Sequence, residues 1–92
     1  MSNQASLESL VFLLHTQAVM QLGLNPFGEE KAEPQPEIAR HFIDMIAMLQ
    51  EKTKGNVTME EQRLLENTLT ELRFRYVQAV EELKKKPAEQ NG

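Results

Sequence analysis

The chain has no cysteine and no tryptophan among its 92 residues, and it has a single tyrosine. Without cysteine it can form no disulfide, no thiolate metal site and no cysteine nucleophile. This absence favours a reducing compartment and predicts a cytoplasmic protein. Because large aromatic side chains are scarce, Leu, Ile, Val, Met and four Phe must supply the packing. A chain of this length forms one domain with a small core.

The chain also lacks an excess of basic charge and a long uninterrupted apolar run. Its net charge is −4, whereas nucleic-acid binding calls for a concentrated basic surface, so nucleic acid is not predicted as a partner. The longest apolar stretch, over 7–24, is interrupted by polar side chains such as Glu8, His15 and Gln21. A membrane-spanning helix needs about 20 predominantly apolar residues, so we predict no span.

Breakers and charge divide the chain into three predicted helices, at about 7–22, 36–54 and 59–85. Proline, glycine and charged residues are frequent over 25–35, which predicts a loop. We therefore expect a single helical domain over 6–86, with flexible tails at 1–5 and 87–92.

The ends of these helices have residues suited to capping. Gly23 and Gly55 stand where a left-handed residue would end the first and second helices. Residues that favour a helix start precede or begin each segment: Ser6, Pro36 and the capping-box pair Thr58 and Glu61.

The second and third predicted helices each have one apolar face, with positions about four and three residues apart. Since a short link joins them, we predict an antiparallel hairpin with the first helix packed on it, in an all-α fold. The apolar positions are Ile38, Ala39, Phe42, Met45, Ile46 and Leu49 in the second helix, and Leu65, Leu69, Leu72, Tyr76, Ala79 and Leu83 in the third.

The first helix is apolar nearly all round, which two other helices cannot cover. Its predicted core face consists of Leu7, Leu10, Val11, Leu14 and Ala18. Phe12 and Val19 are predicted to lie opposite this core face, and Leu13 and Met20 occupy a flank. Phe74 lies opposite the apolar face of the third helix in the same way. We therefore predict a homo-oligomer, a dimer, with this candidate interface: Phe12, Leu13, Val19, Met20 and Phe74.

Gln17 and Gln21 are candidate buried polar residues, since both fall within about 60° of the core face of the first helix. A buried amide must find a hydrogen-bond partner. Two explanations stay open: an interhelical hydrogen bond that fixes the register of packing, or a contact to a small ligand. We favour the first, because few other polar groups converge here.

Glu37, His41 and Asp44 have a spacing that could place three metal ligands on one helix edge. Metal sites normally also take ligands from a second element, so we interpret these residues as a solvated edge and predict no metal and no cofactor. The chain has no phosphate-binding loop and no triad-like order of nucleophile and base. Nothing identifies a catalytic residue.

The segments TQAVMQLGL, MLQEKTKGN and LRFRYV, at 16–24, 48–56 and 72–77, resemble the bacterial family named domain of unknown function 1844. The resemblance covers roughly 6–80, and its central segment is the most specific. It implies a small cytoplasmic helical protein, and it assigns no catalytic or binding residue. The loop over 26–35 and Met59, where a proline would be more typical, depart from the family pattern.

These observations favour a non-enzymatic structural or protein-interaction module. It would self-associate through its first helix and could bind another protein on the same surface. The alternative is a regulatory protein that binds a small ligand or a metal through His41, Asp44 or the region of Gln17. An enzyme ranks third, because no residue is suited to catalysis.

Overall fold

The structure is a computed structural model, and it describes residues 5–23 and 33–85. These residues form three α-helices and no strand: α1 (Leu7–Gln21), α2 (Pro36–Lys52) and α3 (Met59–Lys85). Each helix packs against both of the others. The all-α prediction is therefore confirmed. Most of the predicted loop and nearly all of both predicted tails lie outside the described residues.

Side-chain caps begin two of the helices where the sequence predicts them. Ser6 accepts a hydrogen bond from the backbone N–H of Ser9 at 3.0 Å, which satisfies one of the free donors in the first turn of α1. Before α3, the Thr58 hydroxyl accepts from the Glu61 N–H at 3.0 Å, and the Glu61 carboxylate accepts from the Thr58 N–H at 2.9 Å. This pair is a capping box.

The helices α1 and α2 end slightly earlier than predicted, and both are followed by a glycine with positive φ. Gly23 has φ 84° and Gly55 has φ 82°, conformations that glycine adopts without steric cost. At the end of α2, the Thr53 hydroxyl donates to the Leu49 carbonyl at 2.7 Å, so a side chain satisfies a carbonyl of the last turn. The next backbone N–H, that of Lys54, donates to the Glu51 carbonyl three residues back, and Gly55 has positive φ, so the α-helical pattern ends at Lys52 instead of Lys54.

The core is built from all three helices. The apolar faces predicted for α2 and α3 contribute to it, but Ile43 of α2 and Thr68 of α3 are also buried, although the sequence did not single them out. The buried cluster consists of Val11, Leu14, Ala18, Val19, Ile43, Ile46, Leu65, Leu69 and Leu72.

Val19 corrects the prediction for α1. It is 8% exposed and belongs to the core, so its expected position opposite the core face is wrong. Leu10 differs in the other direction, because it was assigned to the core face and is exposed. The buried part of α1 is therefore rotated toward Val19, since a helix that contacts two neighbours buries a broad arc of its surface.

The molecule is elongated because α3 is much longer than its neighbours. It has 27 residues, against 15 in α1 and 17 in α2. None of residues 73–85 is buried. The principal extents are 52 × 28 × 16 Å. The second half of α3 therefore adds little to the core.

Candidate interaction surface

Beyond Glu8 in the first turn, the exposed side of α1 has no charged residue. We call it the α1 outer face and define it by Ser9, Leu10, Phe12, Leu13, Thr16, Gln17 and Met20, of which Thr16 and Gln17 are half-buried and the rest exposed. Phe12 is 70% exposed and Leu13 is 53% exposed. Glu8, the only acidic or basic residue of α1 besides His15, lies at its start. The α1 outer face is thus apolar with a few neutral polar side chains.

The outer sides of the other helices are charged. Exposed side chains of α2 include Glu37, Arg40 and Asp44, and those of α3 include Glu66 and Arg73. Single exposed apolar residues are common on protein surfaces and need no explanation. A helix face that combines exposed Phe and Leu with an absence of charge is different, because the centres of protein interfaces are depleted in charged residues.

A groove of about 720 Å³ runs beside this face, between α1 and α3. It exists because α1 and α3 pack against each other less extensively than either packs against α2. We call it the α1/α3 groove. Its lining residues are Glu8, Val11, Phe12 and His15 from α1, and Glu60, Arg63, Leu64, Asn67, Thr68 and Glu71 from α3.

One end of the α1/α3 groove carries a short chain of ionic contacts. His15 Nε2 lies 3.6 Å from Glu71 Oε1, and Arg75 Nε donates to Glu71 Oε2 at 2.9 Å. These side chains are between 30% and 45% exposed, so the Arg75–Glu71 ion pair and the His15–Glu71 contact are surface interactions with a small effect on stability. They orient Glu71 toward α1. His15, at the later end of the α1 lining, lies beside Glu71, at the later end of the α3 lining. Glu8, at the earlier end of the α1 lining, therefore lies nearer to Glu60.

The charge of the groove is unbalanced. Three carboxylates, those of Glu8, Glu60 and Glu71, line it together with one guanidinium, that of Arg63, and Arg75 pairs with Glu71, so these groups still carry a net negative charge. The apolar part consists of Val11, Phe12 and Leu64. Such a groove accommodates an apolar helix face and disfavours additional carboxylates.

The structure separates the five predicted interface residues. Phe12, Leu13 and Met20 lie on the α1 outer face, whereas Val19 is in the core. Phe74 is 63% exposed. The spacing of four and three residues from Asn67 through Glu71 places Phe74 on the groove side of α3, one turn beyond the lined part.

A match to one family model identifies the family of this chain. The model described as Domain of unknown function (DUF1844) matches residues 4–78. The chain belongs to this family. Neither the curated proteins nor the solved structures that were searched gave a match. The matched span contains α1, α2 and α3 as far as Gln78, and with them the α1 outer face and the whole α1/α3 groove.

The side chains of Gln17 and Gln21 are half-buried. Among the hydrogen bonds of residues 5–23 and 33–85, none involves either side-chain amide. Gln21 instead contributes its backbone carbonyl, which accepts from the Gln35 N–H and so links the end of α1 to the start of α2. The two explanations for these amides, register or ligand contact, stay predictions.

Glu37, His41 and Asp44 are all exposed on α2. Within the part of the chain that the structure describes, no group of three or more His, Asp or Glu side chains is placed to hold a metal ion together. In the same part, no helix is both long enough and apolar enough to cross a bilayer.

The sequence did not reveal the α1/α3 groove. Its position depends on the distance between two helices that are far apart in the chain, and periodicity carries no information about that distance. The one available signal was His15, a titratable side chain within the otherwise apolar run of α1. It identified a polar position, but its partner Glu71 becomes evident only when α1 and α3 are placed together.

Proposed function

We propose that the chain is a non-enzymatic protein-interaction module of the bacterial cytoplasm that self-associates through the α1 outer face to form a dimer. The observation that carries this proposal is a helix face on which Phe12 is 70% exposed and which has no charged residue after Glu8 in the first turn. The net charge of −4 keeps the rest of the surface well solvated. A symmetric dimer would bring two copies of the uncharged face together.

The energetics require several apolar anchors to act together. Burying one Phe or Leu side chain contributes about 1.5–3 kcal/mol, whereas association costs roughly 4–15 kcal/mol in lost freedom of motion. In a symmetric contact each copy contributes the same four anchors, so eight side chains are buried in total. The anchors of each copy are Leu10, Phe12, Leu13 and Met20. Full burial of these eight side chains would contribute roughly 12–24 kcal/mol, which can exceed the association cost by the roughly 8 kcal/mol that a micromolar dimer requires.

The same proposal includes an antiparallel hairpin of α2 and α3 as the frame that holds α1. It is supported by the short link over 53–58 and by the packing of both helices around the shared core. A frame of this kind leaves the outer side of α1 free for a partner. It contributes no reactive group to that side.

A second candidate function is that of a regulator that binds a small ligand, and the α1/α3 groove favours it. Its volume of about 720 Å³ is within the range of about 300–1,000 Å³ found for ligand sites. A thermal-shift screen of metabolites and metals tests this candidate, because a ligand that binds only the folded state raises the melting temperature.

Sedimentation velocity at micromolar concentration tests the leading proposal. The wild type is expected to sediment as a dimer of the 10.6 kDa chain, and the Leu13→Glu, Met20→Glu variant as a folded monomer. Met48→Glu is the matched control, since Met48 is an exposed apolar residue of α2 away from the α1 outer face. A wild type that sediments only at the chain mass would refute self-association.

A further inference from the structure

We infer that the α1/α3 groove is filled by α1 of a second copy of this chain, the two α1 helices lying antiparallel. The inference rests on the proposed self-association and specifies its geometry. In this arrangement each α1 contacts α1 and α3 of the other copy. The α1 and α3 helices of both copies then form a four-helix layer at the centre of the dimer.

The area that α1 offers is the first argument. A helix of 15 residues is about 22 Å long and about 10 Å wide, so one face of it presents only a few hundred Å². Stable interfaces bury about 800 Å² on each partner. A contact between two α1 helices alone is therefore smaller than a typical stable interface. The neighbouring groove supplies additional surface from α3 without any change in the fold.

The fit between α1 and the groove is the second argument. The lined part of α3 runs from Glu60 to Glu71, which is about 16 Å along the helix. This length corresponds to three turns, and α1 has about four. Phe12 belongs both to the α1 outer face and to the lining of the groove. Leu64 lines the same groove from α3, so a helix that packs on the outer face at Phe12 can also reach this apolar side chain.

The charge of the groove determines which helix face of a second copy can fill it. The groove has three carboxylates and one guanidinium, so a second copy is repelled if it presents a face with further carboxylates. The outer side of α2 carries the carboxylates of Glu37 and Asp44 against the guanidinium of Arg40, so it is net negative and is disfavoured for this reason. The α1 outer face has no charge and can enter the groove without repulsion.

Charge also selects the antiparallel direction. Glu8 and Glu60 lie at one end of the groove. A parallel pair of α1 helices would bring these carboxylates from both copies to the same end, and like charges in proximity are unfavourable. An antiparallel pair separates them. A two-fold axis at Thr16 then places Met20 of the second copy at the level of Phe12.

Nuclear Overhauser measurements on a mixed dimer test this geometry directly. One population carries ¹³C-labelled methionine methyl groups in a deuterated background, and the other carries protonated phenylalanine. We expect a cross-peak from the Met20 methyl group to the Phe12 ring. Within one copy these residues are eight positions apart on α1, about 12 Å along the axis, so the signal must come from two copies.

Three arrangements can be distinguished by experiment: an antiparallel pair of α1 helices, a parallel pair, and a dimer in which the groove is not filled. A second mixed dimer, with ¹³C-labelled phenylalanine in one population and unlabelled protonated phenylalanine in the other, detects contacts between the Phe12 rings of the two copies. Such contacts, with none from Met20 to Phe12, would show a parallel pair and overturn the antiparallel assignment. Asn67→Trp fills the groove from α3 without changing α1, and it is expected to raise the dimer dissociation constant about tenfold or more. Asp44→Trp, on the outer side of α2, is its control and should leave the constant unchanged.

The groove inference and the proposed function fail in distinguishable ways. If Asn67→Trp dimerises as tightly as the wild type while Leu13→Glu, Met20→Glu is monomeric, self-association through α1 stands and the groove assignment is wrong. If the wild type is monomeric at every concentration measured, both fail. Circular dichroism of each variant at equal concentration separates loss of dimer from loss of fold.

Discussion

Thr58 and Glu61 illustrate how single residues determine where a helix begins. Each side chain accepts a hydrogen bond from the backbone N–H of the other, at 3.0 Å and 2.9 Å. These bonds satisfy two donors that have no partner inside the helix. Because α3 supplies three of the nine residues of the buried cluster, its start affects the stability of the whole molecule.

We predict that Thr58→Ala lowers the free energy of unfolding by about 1 kcal/mol, since the hydroxyl that accepts from the Glu61 N–H is lost. Urea denaturation at fixed protein concentration measures the change. Thr70→Ala is the control, because it makes the same substitution at an exposed position inside α3. There, alanine should be neutral or slightly stabilising. Equal effects at both positions would contradict the capping role.

Val19 and Val77 form a matched pair for testing the corrected core. Val19 is 8% exposed and Val77 is 51% exposed. Val19→Ala should lower the free energy of unfolding by about 1.5–2.5 kcal/mol, from lost burial of two methyl groups and the cavity that remains. Val77→Ala should change it by less than about 0.5 kcal/mol. A small effect at Val19 would indicate that this side chain lies at the surface, and it would support the original assignment of Val19 to the interface.

At the scale of helices, the starts of α1, α2 and α3 followed from the sequence because caps depend on nearby residues. Ser6, Pro36 and Thr58 need only the first turn of their own helix to act. The ends were less accurate, since the Thr53 hydroxyl bond to Leu49 was not expected. Local chemistry therefore predicted the extent of each helix to within two residues.

The buried arc of α1 could not be predicted in the same way. Its apolar residues are spread around the helix, so periodicity gives no single direction for the core. Val19 is buried and Leu10 exposed because of where α2 and α3 lie, which is a property of the packed molecule. The α1/α3 groove was not predicted for the same reason. Phe12 and Leu13 were identified as exposed because the other two helices could not cover all of α1.

The outer edge of α2 gives a prediction at this scale. Glu37, His41 and Asp44 are exposed, and a solvated helix edge contributes little to stability. Replacing all three with alanine should leave the circular dichroism spectrum and the dimer dissociation constant nearly unchanged. Elemental analysis of the purified wild type and variant provides the decisive comparison. A metal present in the first and missing from the second would favour a metal-binding regulator.

The whole molecule combines a small core with an elongated shape. The last 13 residues of α3 include no buried residue, and the extents are 52 × 28 × 16 Å. A chain with so little core gains much of its stability from association if α1 is covered by a second copy. Folding and self-association are then coupled, and stability depends on protein concentration.

We predict that the melting temperature of the wild type rises with protein concentration, whereas that of Leu13→Glu, Met20→Glu does not, because only the wild type gains stability from dimer formation. The effect of salt on dimer formation distinguishes apolar contacts from ion pairs. Each copy has a net charge of −4, and the α1 outer face has none, so the two copies repel at long range and attract through apolar contact. Raising the ionic strength from about 0.05 M to about 0.5 M screens the repulsion and should leave the dimer equally tight or tighter. Differential scanning calorimetry and sedimentation equilibrium measure the two effects. A dimer that weakens in salt would depend on ion pairs, and its interface would have to lie on the charged sides of α2 or α3.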